Sequence, residues 1–264
     1  MQLKWINQNK YKLMAFIIGL YVLVDIVQHK GLVWILIPKK YPVYKIDNNH
    51  PRNKNKLINN NKEWEKAINT KELLNAVKVE SSGIECDVYF DIQKNIFDIH
   101  HDPDESIGLT LESQFQLYKQ RELQASIWID LKNLDDSNCS SAVTVLSELR
   151  TKYDLKDKVL VESVRADLLK VFSDSGFFTS YYTPMFNPYR LSDDEIKHRV
   201  DSLSFIINIS NVNALSGYYF QYPFLHHYFP NYPILTWTGH DKFSLVNYFI
   251  RKKISGAKEI FILL

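Results

Sequence analysis

Apolar and polar positions along the chain follow two periods. Short runs of β-branched and aromatic residues at 83–90, 96–100, 126–131, 159–162, 177–181, 204–209, 234–238 and 259–264 predict strands. Between them lie stretches of helical period at 70–79, 111–120, 140–153, 166–175, 192–198 and 242–253. Strand and helix in regular alternation are the mark of a parallel sheet with crossover helices. No glycine-rich phosphate loop or dinucleotide fingerprint follows any of these strands, so the pattern predicts an α/β fold of the (β/α)8 or TIM barrel class rather than an open sheet. No internal repeat is evident. The barrel is expected at 63–264, behind an N-terminal membrane anchor at 1–40 and a linker at 41–62 that is rich in Asn, Lys and Pro.

The anchor is predicted from residues 13–27, which are almost all apolar, and from a second apolar run at 31–38. About 20 helical residues cross a hydrocarbon core of about 30 Å. Asp25 is the awkward member, because a carboxylate costs a few kcal/mol at the midplane and much less near an interface; the span is expected to place it near one face. Small residues in a cleavage-site pattern are absent, so the run reads as an uncleaved single-pass transmembrane helix; a cleaved signal peptide and a buried hairpin helix are the alternatives. Lys4, Lys10 and Lys12 precede the span while Lys39, Lys40, Lys45 and Arg52 follow it, so basic residues flank both sides. A short basic tail before a first apolar segment is how signal anchors begin, and on that ground the domain is expected outside the cytoplasm.

Composition adds little beyond this. At 264 residues with 45% hydrophobic and 23% charged positions, the chain can build one large core after the anchor is set aside. A net charge of +2 with acids and bases nearly balanced gives no basic surface for a nucleic-acid partner, so the expected partners are the lipid bilayer and a small molecule at a site. Cys86 and Cys139 either form one disulfide in an oxidising compartment or are two unrelated thiols, and their spacing does not suggest a zinc site.

Active groups of a barrel come from the C-terminal ends of its strands, so polar residues that close apolar runs are the candidates. In Gly83-Ile84-Glu85-Cys86-Asp87-Val88, Glu85 and Asp87 are two apart and point the same way, into the barrel, with Cys86 toward the helices. Two inward carboxylates repel unless a proton or a cation intervenes, and Mg²⁺ or Ca²⁺ suits such oxygen ligands. Phe97-Asp98-Ile99-His100-His101-Asp102-Pro103 ends a strand with His101, a candidate proton donor or acceptor oriented by Asp102. In Ile129-Asp130-Leu131-Lys132, Asp130 can complete a metal shell while Lys132 holds a phosphate oxygen; the same two residues can also be a structural ion pair. Trp237 can wall the pocket or fill the core. Glu162 and Tyr181 are further pocket candidates, and Tyr218, Tyr219, His226 and His227 lie in a stretch read as an aromatic loop or lid.

These pieces in this order resemble the glycerophosphodiester phosphodiesterase and phospholipase-C-like barrel superfamily. The resembling stretches are Gly-Ile-Glu85-Cys-Asp87-Val, His101-Asp102-Pro103, Ile-Asp130-Leu-Lys132, Trp237-Thr238 and 255–260, over about 200 residues from Trp64 onward. The resemblance implies a metal-dependent phosphodiesterase acting on a glycerophosphodiester, a lipid headgroup or a phosphate-linked glycan. It also implies that Glu85, Asp87 and Asp130 hold the cation and that His101 protonates the leaving alkoxide. Three departures stand out. Trp64-Glu65-Lys66-Ala67-Ile68-Asn69-Thr70 is similar to the W-A-H-A-x-N-S stretch of the menorin-like branch, with Lys66 where the first catalytic histidine stands. A lysine can bind a phosphate oxygen there, but with an ordinary pKa of about 10.4 it is a poor base at neutral pH, which leaves a non-catalytic binding or assembly module as the alternative function. The family's aspartate after the last strand is not found in Phe261-Ile262-Leu263-Leu264, and Asp130 stands where many members carry Glu.

Overall fold

The structure is a computed structural model that describes residues 2–28, 35–37, 39–44, 46, 53–239 and 243–264, with side chains from Asn9 onward. It divides into two compact units, one of Tyr41–Trp237 with Lys258–Leu264 and one of Met1–Lys40 with Thr238–Ala257.

The larger unit is built on eight strands: β1 (Gly83–Asp91), β2 (Ile96–Ile99), β3 (Ser126–Leu131), β4 (Val159–Ser163), β5 (Phe178–Tyr182), β6 (Ala214–Tyr218), β7 (Ile234–Trp237) and β8 (Ile260–Leu263). They lie in the order β2-β1-β3-β4-β5-β6-β7-β8. All neighbours are parallel except β1 and β2, a hairpin that pairs Val88 with Ile99. Closure comes from residues 62–65, which stand between β8 and β1. Trp64 N–H donates to Leu263 O (2.9 Å) and Leu263 N–H to Lys62 O (2.7 Å), while Glu65 N–H donates to Gly83 O (2.9 Å) and Glu85 N–H to Glu65 O (2.8 Å). Only single bridges, Glu63 to Leu263 and Glu65 to Ile84, join this segment to its neighbours, so the ring is partly closed. Helices α2 (Lys71–Ala76), α3 (Leu111–Gln120), α4 (Cys139–Lys152), α5 (Ala166–Asp174), α6 (Asp193–Ser210) and α7 (Tyr222–Tyr228) alternate with the strands.

Two cores follow from the two-residue period of the strands. Outward residues such as Ile84, Cys86, Val88, Ile127, Ile129 and Val161 pack under the helices. Inward residues Trp64, Trp128, Leu160, Phe178, Ala214, Leu235, Ile262 and Leu264 fill the floor of the barrel. Trp64 is the plug, and its indole N–H reaches Asn59 Oδ1 (3.1 Å) and Asn61 O (3.0 Å). It needs the missing side chain at Gly83, where a Cβ would lie 1.9 Å from the indole. Gly83→Ala is therefore expected to cost about 3 kcal/mol and lower the melting temperature by roughly 5–12 °C in a thermal melt, whereas Gly256→Ala, which meets nothing within 4 Å, is expected to leave it unchanged.

The 41–62 stretch is seated on this unit wherever it is described. Asn55 Nδ2 donates to Ser173 O and Phe177 O (both 2.7 Å), Asn59 Nδ2 to Phe261 O (2.9 Å), and Tyr44 O–H to Asp193 O (2.7 Å). Lys45 and Arg52 lie outside the described residues.

Several expected elements differ. Residues 204–209 are helical, inside α6: a capping box between Ser192 and Glu195 starts the helix, and its buried face runs Ile196, Val200, Leu203, Ile207. The strand in that place is β6, whose inner face carries the small Ala214 and Ser216 and so lacks a strong apolar signal. Residues 96–100 form the antiparallel hairpin strand rather than a stave. The expected aromatic loop is ordered, with Tyr218 ending β6 and His226 and His227 in α7. Both cysteines are free and buried; Cys86 faces the helices as expected.

The smaller unit holds α1 (Gln2–Gln28) and α8 (Leu245–Gly256). Asn9–Gln28 is long and apolar enough to cross a membrane by length and composition, and almost all of it is exposed. Asp25 is itself buried, and its Oδ2 accepts the Val246 N–H at 2.9 Å, so the acid lies at the N-terminus of α8, where a negative charge is favoured. Of the second apolar run, residues 35–37 alone are described; Lys242, the expected start of α8, lies outside the described residues.

Candidate active site

Above the apolar floor the inward positions turn polar at one level. Register aligns Asp87 with Asp130, Asp130 with Glu162, and Glu162 with Ser180, so three adjacent parallel strands each bring a carboxylate to the C-terminal end of the barrel. Oxygens of Glu85, Asp87 and Asp130 lie within 4.8 Å of one another.

Each acid has a distinct setting. Glu85 Oε2 accepts the Ala67 N–H at 2.7 Å. Ala67 has φ of 57°, a left-handed conformation costing about 1–2 kcal/mol for a residue with a Cβ, and that turn aims its amide into the barrel. Burial, and then the neighbouring Asp87, push the Glu85 carboxyl up to about 8 despite this hydrogen bond and Lys66. Asp87 is gripped by Asn69, which donates from Nδ2 to Oδ2 (2.6 Å) and accepts the Asp87 N–H (3.0 Å). Burial also raises Asp130, against the pull of Lys132. The Lys132 ammonium lies 2.7 Å from Asp87 Oδ1 and also contacts Asp130 Oδ2. Burial disfavours that ammonium, but the two carboxylates outweigh it and raise its pKa. Glu162 is fully buried and its Oε2 has no hydrogen-bond partner; burial, then Asp130, hold its carboxyl well above the ordinary range.

Around the mouth, the Lys66 ammonium lies 5.6 Å from the centre of the Trp237 ring. Trp237 meets Tyr182 edge-on (5.2 Å) and Tyr218 at 5.0 Å, which makes an aromatic wall. His101 is on the rim, its side chain 64% exposed, with Nδ1 at 3.0 Å from Asp102 Oδ1, and it stands near enough to Asp130 to act on that carboxyl. Its neighbour His100 is buried and structural: it stacks flat on Tyr89 at 4.3 Å, with Nδ1 2.7 Å from Asp102 O.

Lys66, Glu85, Asp87, His101, Asp130 and Lys132 therefore gather at one end of the barrel, with Trp237 beside them. Glu162 joins the carboxylate layer rather than the wall. Tyr181 does not join: it points outward into the helical core, because the inward parity of β5 is that of Phe178, Ser180 and Tyr182. Sequence reading missed Asn69 and Tyr182. Counting along β5 from the inward Phe178 points to Tyr182, whereas the only signal for Asn69 is its match to the N of the W-A-H-A-x-N-S stretch.

A divalent cation suits this donor set. Three converging hard oxygens, with Glu162 Oε2 that has no hydrogen-bond partner behind them, form a buried acidic layer whose crowded carboxyls hold protons that a cation would displace.

No protein-family profile matches the sequence, and no curated protein matches it. Solved structures do. A glycerophosphodiester phosphodiesterase from Thermotoga maritima matches with a TM-score of 0.53 and 18% identity over 77% of this chain and 93% of that one. One from Parabacteroides distasonis matches with a TM-score of 0.51 and 16% identity over 77% and 92%. The chain thus carries the barrel fold of the glycerophosphodiester phosphodiesterases.

Proposed function

We propose that the chain is a membrane-anchored phosphoric diester hydrolase that works with Mg²⁺ or Ca²⁺ on a glycerophosphodiester, a lipid headgroup or a phosphate-linked glycan. The observation that carries this reading is the convergence of Glu85, Asp87 and Asp130 within 4.8 Å at the ends of adjacent strands of this fold. When bound, a divalent cation neutralises charge on the phosphoryl oxygens. Glu85, Asp87 and Asp130 would hold it, with Glu162 behind them. Lys132 offers its ammonium to a non-bridging phosphate oxygen. His101, with Nδ1 on Asp102, is left to give a proton from Nε2 to the leaving alkoxide. Lys66 and the Trp237 wall flank the substrate, the lysine binding phosphate rather than acting as a base. The apolar length and exposure of α1 support the anchor; the domain is proposed to lie outside the cytoplasm on the short basic tail before the span alone.

One contact favours a second reading. Lys132 lies against both Asp87 and Asp130, and an ammonium that permanently takes the cation's place would leave a binding or assembly module at the membrane. Hydrolysis of a panel holding glycerophosphocholine, glycerophosphoinositol and bis(p-nitrophenyl) phosphate, with EDTA or with 5 mM Mg²⁺ or Ca²⁺ at about that concentration, separates the two. Cation-dependent turnover is expected. No turnover with either cation, together with no rise in melting temperature, would establish the binding module.

A further inference from the structure

The outer face of α8 is apolar although its inner face is already buried. Val246, Ile250 and Ile254 are buried, while Leu245, Tyr248 and Phe249 are 43%, 59% and 52% exposed and Phe243, just before the helix, is 86% exposed. Leu245, Tyr248, Phe249 and the exposed Lys252 form one stripe at helical spacing, an aliphatic and two aromatic side chains followed by a cation. The helix has a defined start, with Ser244 Oγ accepting the Asn247 N–H at 2.9 Å. It is tied to the rest of the smaller unit at both ends: Val246 N–H donates to Asp25 Oδ2 (2.9 Å), and the Lys253 ammonium donates to Ile35 O.

The tie to Asp25 decides what covers the stripe. Asp25 is three residues from the end of α1, about 4.5 Å of helix, so α8 begins level with the last turn of the apolar window. That window is exposed almost throughout, at Phe16, Ile17, Leu20, Leu23, Val24 and Val27 among others. Whatever medium surrounds α1 therefore ends at the depth where Phe243 and Leu245 stand. Tyr and Phe on an aliphatic helix face beside a snorkelling Lys suit the boundary between acyl chains and headgroups.

We infer that α8 is a membrane-contacting helix that lies in the headgroup region of the bilayer spanned by α1, with Phe243, Leu245, Tyr248 and Phe249 as its lipid-facing side chains. The inference rests on the reading of α1 as the anchor. It makes residues 243–256 part of the membrane attachment rather than only a helix of the barrel cycle.

The test uses the full chain in vesicles of phosphatidylcholine and phosphatidylglycerol, with an NBD label on a cysteine introduced at Phe249 (F249C), at Leu20 (L20C) or at the exposed Lys156 (K156C). Quenching by doxyl-labelled lipid and by aqueous iodide is compared. The expected result is strong lipid quenching at 20, lipid quenching at 249 at least twice that at 156, and weaker iodide quenching at 249 than at 156. Lipid quenching at 20 with none at 249 would overturn the inference and leave the anchor standing. No lipid quenching at 20 would overturn the anchor and the inference with it. Shielding of 249 that follows protein concentration rather than lipid would assign the face to a second copy of the chain and also overturn it.

Discussion

Replacing Glu85 and Asp87 together by alanine is expected to lower cation-dependent phosphodiester turnover at least about 10³-fold, a loss of about 4 kcal/mol of transition-state stabilisation. The two side chains supply two of the three converging ligand sets, and Asp87 is also the acid that Asn69 and Lys132 hold. Their removal leaves Lys132 on Asp130 alone, with no paired carboxylates for a cation to bridge. Losing Glu85 removes a carboxyl that burial disfavours, whereas losing Asp87 takes a partner from Asn69 and Lys132, so the melting temperature is the necessary control. The measurement is kcat/KM on the substrate that the panel selects, with the melting temperature recorded in EDTA beside it. Retained turnover in the double variant would remove these residues from the reaction; a collapse in melting temperature would make the loss uninformative, and Asp87→Asn alone, which keeps the Asn69 contact, then replaces it.

The second large effect is on stability, and its sign follows from the acids. A glutamate ionises near 4.3 in the unfolded chain, while Glu85 in the folded barrel holds its proton up to about 8. Between those values the folded state binds more protons, so each rise in pH favours unfolding until the folded carboxyl itself ionises. Asp130 and Glu162 are raised by the same cause and add in the same direction. Lys132 is raised in the folded state and stays charged in both states throughout this window, so it contributes a constant term. The surface acids whose pKa is lowered, Asp91, Asp135, Asp167 and Glu195, act only below it. In EDTA the melting temperature is therefore expected to fall by roughly 5–10 °C between pH 5 and 8, a few kcal/mol of lost stability. Saturating Mg²⁺ or Ca²⁺ is expected to flatten that fall, and Glu85→Gln to reduce it without any cation. A flat profile in EDTA would mean that Glu85 and Glu162 are ionised throughout this window and would overturn the raised carboxyls.

Much of this site was legible in the sequence because β strands keep strict parity. Glu85 with Asp87, and Asp130 with Lys132, are each two apart, and the apolar residues between them show which side faces the helices. Tyr181 lies outside that rule's reach until the strand's phase is known: β5 runs Phe178–Tyr182 with Phe178 inward, which turns Tyr181 to the helices. The barrel count was right for a partly wrong reason. The strand expected at 96–100 is β2, an antiparallel hairpin arm outside the parallel ring, and 204–209 are helical. The true staves, 62–65 and β6, were missed because one pairs through single bridges and the other shows small inward residues. Asn69 matches the N of the W-A-H-A-x-N-S stretch, but its role depends on a turn at Ala67 that folds the chain back toward β1, which no periodicity records.

That turn also joins two jobs usually kept apart. Trp64 stoppers the floor, Glu65 zips the last seam of the ring to β1, Lys66 reaches the mouth, Ala67 presents its amide to Glu85, and Asn69 clasps Asp87, all within six consecutive residues. The latch of the barrel and the scaffold of the acids are one strip of chain. Were this seam to part, the plug, the amide and the clasp would leave together, and the carboxylates would swell open to water as one event. Conversely, anything that draws those carboxylates together pulls the seam shut, so occupancy of the mouth is felt at the floor.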